Sequence, residues 1–211
     1  MKNIKPIIIA GPSGSGKDTV IKLLIQKYPF IHDALGYTTR KPRIGEVNGR
    51  EINFVSKDEF EKLIKNNELF EYSYFSGNYY GMPFSEIKNA YSQITVFNIG
   101  IPAAKKLQEM DPSIITIFII PPTKEELLYR IGDRGIERYN HAIEDIELAK
   151  GFFENLVINY TDRAEDAVSD IENIIFNNSR DYLLEDNYKI LNNFFDKNKV
   201  KIKAIGIDKW N

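Results

Sequence analysis

The chain has 211 residues, 43% hydrophobic and 27% charged, which suits one domain of ordinary size with a real core and a solvated surface. Its formal net charge of −2 is spread without long single-sign blocks, so no nucleic-acid-binding field is expected. With no cysteine, disulfides, thiolate zinc sites and a cysteine nucleophile are excluded, and with no apolar run of about 18 residues no membrane span is expected.

The first residues, Met-Lys-Asn-Ile-Lys-Pro, lack the apolar segment of a signal peptide, which predicts a soluble cytoplasmic protein. Ile7 to Ala10 is short, apolar and β-branched, as a buried parallel strand should be. Gly11 to Lys17 (GPSGSGK) then fits the phosphate-binding loop G-x-x-x-x-G-K, with a strand before it and a helical pattern after it. Glycines let successive backbone N–H groups converge on phosphate oxygens, and the helix N-terminus adds partial positive charge. Lys17 supplies a mobile point charge for the β/γ-phosphates. Mg-ATP binding is therefore expected at Gly11, Ser13, Gly14, Ser15, Gly16, Lys17, Asp18 and Thr19. Asp18 stands where such loops usually carry Ser or Thr, but Thr19 follows and is the expected Mg²⁺ ligand. A carboxylate beside a triphosphate repels it, so Asp18 should turn away or act through the metal.

Val20, Leu23, Leu24 and Tyr28 keep helical spacing until Pro29. Segment 38 to 81 is rich in Arg, Lys, Gly, Asn and Tyr and reads as a small inserted lobe. Within it, Ser56 to Glu59 forms a capping box opening a helix, and Thr123 to Glu126 is a second box later in the chain. Strand runs are expected at Ile94 to Phe97, Ile114 to Ile120 and Val157-Ile158, with a helix from about Arg163 to Phe176. Alternating strands and helices predict an α/β fold with a parallel sheet. The core pattern is complete near Asn178, so residues 1–178 read as one domain and 179–211 as an extension of unassigned role. In that extension Tyr182 to Phe195 has a helical pattern, Val200, Ile202 and Ala204 alternate like an edge strand, and Trp210 is a candidate anchor, either for capping the core or for pairing with another subunit. His32 and His141 have no metal-ligand spacing around them and are expected to be structural or surface residues.

"YTTRKPRIGEVNGREINFVSKDEFEKLI", "FEYSYFSGNYYG" and "IFIIPPTKEELLYRIGDRG", in this order after the loop, resemble guanylate kinases over roughly residues 4 to 176. The resemblance implies a P-loop kinase core, an acceptor-binding lobe over 38–81 and a helical lid over 130–146. It implies Arg40, Arg43 and Tyr80, with Gly81 beside them, at the acceptor phosphate, and Glu71 at the guanine edge. It also implies Arg130 and Arg134 as lid arginines on the transferring phosphoryl group, and Asn159 beside the adenine. Lys17, Arg40, Arg43, Arg130 and Arg134 are the catalytic set so implied. The residue types suit that chemistry, because an anionic acceptor needs no general base and arginine forks cancel charge.

Several positions depart from the family pattern. Gly36 replaces a serine near the base, Met82 a Ser or Thr, and Ile52 a tyrosine. Asn98-Ile99-Gly100 loses two carboxylates, and Glu144-Asp145 occupies the place of a further lid arginine. Asp18, Tyr37 to Arg40 (YTTR) and Asn98 to Gly100 (NIG) resemble ribose 1,5-bisphosphate phosphokinases instead. The expected activity is phosphoryl transfer from ATP to a nucleoside monophosphate, GMP or dGMP by family default. The alternatives are ribose 1,5-bisphosphate or another nucleotide as acceptor, and a non-catalytic binding module. A small phosphorylated acceptor is the expected partner of a monomer or homodimer.

Overall fold

The structure, a computed structural model, describes residues 6–177. The helix expected over Tyr182 to Phe195, the strand at Val200 to Ala204 and Trp210 lie outside the described residues. The chain lays down β1 (Ile7–Ala10), α1 (Lys17–Lys27), β2 (His32–Asp33), β3 (Tyr37–Thr38), β4 (Asn53–Phe54), α2 (Lys57–Lys65), β5 (Leu69–Phe75) and β6 (Asn78–Pro83). Then come α3 (Phe84–Asn89), β7 (Thr95–Asn98), α4 (Ile101–Met110), β8 (Ile115–Ile120) and α5 (Lys124–Ile131). A 3₁₀ turn (Gly132–Arg134), α6 (Ile136–Ala149), β9 (Asn155–Ile158) and α7 (Ala164–Asn177) complete it.

Five parallel strands form the main sheet in the order β2-β7-β1-β8-β9. Both faces are covered, which is why its strands read as unbroken apolar runs. Ile7, Ile9, Val96, Ile117, Ile119 and Val157 pack on Val20 and Leu24 of α1 and on Val168 and Ile171 of α7. Ile8, Phe97, Phe118 and Ile158 pack on the opposite face with Leu107, Leu127, Ile131 and Ile146 from α4, α5 and α6. Each such buried aliphatic side chain contributes roughly 1.5–3 kcal/mol. Because β1 is central, the loop after it opens at the carboxyl edge of the sheet, where α/β folds bind ligands. Among the described residues no helix is long and apolar enough to cross a membrane.

A second, four-stranded sheet has the order β4-β3-β6-β5. Its β5–β6 hairpin turns through Ser76 and Gly77, at φ 48° and 80°, the two left-handed positions of a two-residue hairpin turn. Phe60 of α2 stacks on Tyr79 with ring centroids 5.2 Å apart. Phe70, Met82 and Ala34 enter the same core cluster as Phe97, so the second sheet is seated on the first.

The two expected capping boxes differ. At α2 both halves form: Ser56 Oγ accepts from the Glu59 N–H at 3.2 Å, and the Glu59 carboxylate accepts from the Ser56 N–H at 2.7 Å. At α5 only the Thr123 half forms, accepting from the Glu126 N–H at 3.1 Å. The Glu126 carboxylate is drawn instead to Arg130 and Thr161, since a charged fork outcompetes a neutral N–H.

Candidate active site

The loop from Gly11 to Gly16 is shaped by three glycines with different reasons for being there. A Cβ at Gly11 would lie 2.3 Å from the Ile119 carbonyl oxygen, so the chain passes β8 only without a side chain. Gly14 and Gly16 hold φ of 89° and 79°, and a Cβ at Gly16 would meet the Asn159 side-chain nitrogen at 2.3 Å. Gly16 is also the N-cap of α1, which has no side-chain cap, so its first N–H groups are left to a ligand. Lys17 follows, with Nζ 3.2 Å from Asp18 Oδ1.

Arg130 and Asn159 brace this loop from beneath. Asn159 is 4% exposed and donates its side-chain N–H to the Ser15 carbonyl at 2.8 Å. Arg130 donates to the same carbonyl at 3.2 Å and to the Asn159 carbonyl at 2.7 Å, and is paired with Glu126. Asn159 is thus a buried strut beneath the loop, and the guanidinium of Arg130 is engaged by protein acceptors. Arg134 ends the 3₁₀ turn between α5 and α6.

Asp18 turns toward β7, where Asn98 donates a hydrogen bond to Oδ1 at 3.0 Å. Lys17 holds the Asp18 carboxyl below the usual carboxylate range, against burial, with Asn98 and Arg43 adding to the effect. Arg43 Nη1 lies 4.0 Å from Asp18 Oδ2, so the arginine loop reaches the phosphate loop. Arg40 is held by a fork to both Glu46 oxygens, at 2.6 and 2.8 Å, and Glu46 also accepts from the Arg43 N–H at 2.6 Å. That hydrogen bond from Arg40 keeps the Glu46 carboxyl low and charged. Glu46 thereby holds the Arg40 fork and ties the Arg43 backbone to it.

Glu71 on β5 is half-buried, and burial pushes its carboxyl up while the Lys106 ammonium opposes the shift. Tyr80 lies beside Arg40 and, like Gly81, faces β3 across the sheet. A Cβ at Gly81 would stand 3.0 Å from both Phe60 and Leu69, so this glycine is set by packing. Met82 is 4% exposed and points into the core, not toward a ligand. Gly36 accommodates it: a Cβ there would lie 2.9 Å from the Gly81 carbonyl oxygen and 3.8 Å from Met82. Gly100 is different, because its φ is −71° and a Cβ would meet only Pro102, at 3.8 Å. Ile52 serves the backbone of its loop, its carbonyl accepting from the Gly49 N–H at 3.1 Å.

On α6, Arg138 donates from Nη1 to Ser13 Oγ at 3.3 Å, a contact that motif spacing did not single out. The signal was faint: arginines recur every four residues at 130, 134 and 138, but Gly132 and Gly135 break the helix between them. Asp145 is pushed up to about 6 by burial, with His141 and Lys17 opposing. His32 and His141 pair with Glu86 and Glu144 at 2.7 and 3.1 Å. Among the described residues no group of three His, Cys, Asp or Glu could hold a metal ion.

The family model described as guanylate kinase matches residues 3–178. A guanylate kinase of Nostoc sp. is 38% identical over 181 residues, covering 82% of this chain and 89% of that protein. One from Clostridium perfringens (strain 13 / Type A) is 37% identical over 178 residues, covering 80% and 81%. The crystal structure of guanylate kinase from Anaplasma phagocytophilum superposes with a TM-score of 0.68 at 26% identity, covering 84% of this chain and 88% of that one.

Proposed function

The chain belongs to the guanylate kinase family, and on that premise we propose that this kinase moves the γ-phosphoryl group of ATP onto the phosphate of GMP or dGMP. The observation that carries the reading is the approach of two phosphate-binding devices. The uncapped N-terminus of α1 and Lys17 stand on one side, and the Glu46-held Arg40 and Arg43 on the other, with Arg43 reaching Asp18. We assign 38–81 to acceptor binding and 130–146 to the lid. The relatives favour neither a sugar phosphate as acceptor nor a non-catalytic module.

In this reading an acceptor phosphate oxygen attacks the γ-phosphorus, and the bond to the β–γ bridging oxygen breaks. The electron pair leaves with ADP, and no proton needs removing because the acceptor is already anionic. Catalysis is positioning plus charge cancellation. Lys17 and the loop N–H groups hold the donor phosphates, and Arg40, Arg43 and Tyr80 hold the acceptor phosphate. Glu71, an acceptor-only group when ionised, receives the guanine N–H donors. Arg134 is assigned to the transferring group as a lid arginine, while Arg130 acts through the loop it braces. Mg²⁺, when bound with ATP, supplies neutralisation of the β/γ-phosphate charge, and Thr19 is the residue that would hold it. Nucleotides in the cytoplasm are the partners, with neither nucleic acid nor membrane involved.

The test is ADP release with Mg-ATP and, in parallel, GMP, dGMP, AMP, UMP or ribose 1,5-bisphosphate. GMP and dGMP should turn over and the others should not; preference for any other acceptor would overturn the assignment. Lys17→Ala should lose turnover with every acceptor, and unchanged turnover would refute the mechanism.

A further inference from the structure

We propose that Lys106 is a positioning residue for acceptor recognition: from α4 it anchors the irregularity in β5 that presents the Glu71 carboxylate to the guanine edge. The proposal rests on the kinase reading above and on the place that reading gives Glu71. Leu69 pairs with Pro83 and Glu71 with Met82, so the register of the β5–β6 hairpin shifts at Phe70, the residue just before Glu71. A shift of this kind interrupts the ladder and re-aims the neighbouring side chains. Lys106 meets it there: Nζ donates to the Phe70 carbonyl at 2.6 Å, and the same ammonium lies 4.5 Å from the centroid of the Phe70 ring. The helix that supplies it is firmly seated, because Ala103, Ala104 and Leu107 of α4 are buried in the core cluster that also takes Phe70 and Met82. Two contacts to one residue thus fix a cation beside Glu71.

The charge of Lys106 has a second effect. Glu71 accepts the guanine N–H donors with both oxygens only when it is ionised, because a protonated carboxyl turns a donor of its own toward them. Burial pushes the Glu71 carboxyl up, and the Lys106 ammonium is the charged group that opposes this. Across β5–β6 stands Met82, followed by Gly81 opposite Tyr72, and neither carries a charge. The ring contact consumes none of the ammonium donors, so the cation is held in place by Phe70 without a carboxylate partner of its own there. Dependence on Glu71 is heightened in this chain. Gly36 has no side chain to offer the base, and Met82 is turned into the core. A base read chiefly by one carboxylate is sensitive to whatever aims that carboxylate and keeps it ionised.

The experiment compares wild type with Lys106→Met, Lys106→Gln and Lys106→Arg, using steady-state kinetics with GMP between about pH 5.5 and about pH 8. In Lys106→Met, KM for GMP should rise roughly fivefold or more at the acid end and less at the alkaline end. Both kcat and KM for ATP should stay within about twofold of wild type. Lys106→Gln keeps a donor for the Phe70 carbonyl but no charge, so it should share the acid-end loss. Lys106→Arg keeps donor and charge and should restore the wild-type profile. A loss equal at every pH, or one that falls on kcat and ATP instead of GMP, would overturn the proposal. Carboxyl NMR titration of the free protein reads Glu71 without any acceptor. Its midpoint should lie higher in Lys106→Met and Lys106→Gln than in wild type and Lys106→Arg, and an unmoved midpoint would refute the role. If wild type does not phosphorylate GMP, the acceptor assignment fails on its own, and the titration still decides whether Lys106 acts on Glu71.

Discussion

Asp33 closes β2 beside the phosphate helix, and burial among Asp18, Glu86 and Glu51 pushes its carboxyl up from 3.8 to about 7, with only His32 opposing. A carboxyl raised in the fold favours the folded state fully below its unfolded value, and that contribution is lost as pH rises through the folded value. The window here runs from 3.8 to about 7. Asp33→Asn removes the titration, so its melting temperature relative to wild type should climb between pH 4 and pH 7 and level off above. Thermal unfolding across that range checks this, and a difference independent of pH would contradict it. Gly16 and Asn159 illustrate a different kind of dependence. The left-handed glycine was legible from the motif, whereas its second reason, the Asn159 nitrogen 2.3 Å from where a Cβ would stand, was not.

Between elements, the contact of α1 with β7 explains two departures from the family pattern at once. Asp18 brings a carboxylate to the phosphate helix, and Asn98 presents an amide to it at 3.0 Å where the family has an acid. An acid at both positions would set two carboxylates within hydrogen-bonding distance, each raising the other's pKa. Asn98→Asp alone should therefore cost about 1–3 kcal/mol in denaturant unfolding at pH 8, and Asp18→Ser in the same chain should recover most of it. Additive losses in the double mutant would show that the two sites are not coupled. The break between α5 and α6 works similarly, because Gly132 and Gly135, at φ 53° and 92°, end the arginine periodicity. That turn separates a bracing arginine from the one that reaches the loop.

Taken as a molecule, the described residues form two sheets joined through a short link whose tolerance is set by Gly36. Its carbonyl accepts from the Asn53 N–H at 2.8 Å, and there is no room for a side chain against the Gly81 carbonyl. Met82 fills the neighbouring space from inside the core. Restoring the serine of the family pattern by Gly36→Ser should force these backbones apart and destabilise the fold by roughly 1–3 kcal/mol in urea unfolding. A variant as stable as wild type would mean that the link between the sheets yields. The core sheet was legible as alternating strands and helices, since runs such as Ile115–Ile120 are apolar on both faces. The short strands β2, β3 and β4 were not, because two residues carry no periodicity and are made strands only by their partners.

The sequence by itself determined what depends on near neighbours: the β1–loop–α1 unit, the Ser56 capping box, the apolar strands and the family. These follow from turn chemistry, side-chain reach over three or four residues and hydrophobic period, all of which are local. Only the tertiary structure decided which polar group meets which. Asn98 joins Asp18 across 80 residues, Arg130 braces Ser15 across 115, and Arg138 reaches Ser13 across 125. An arginine's chemistry is the same wherever it stands in the chain. Whether it braces a loop or faces a phosphate depends on which acceptors the fold brings within about 3 Å of its fork.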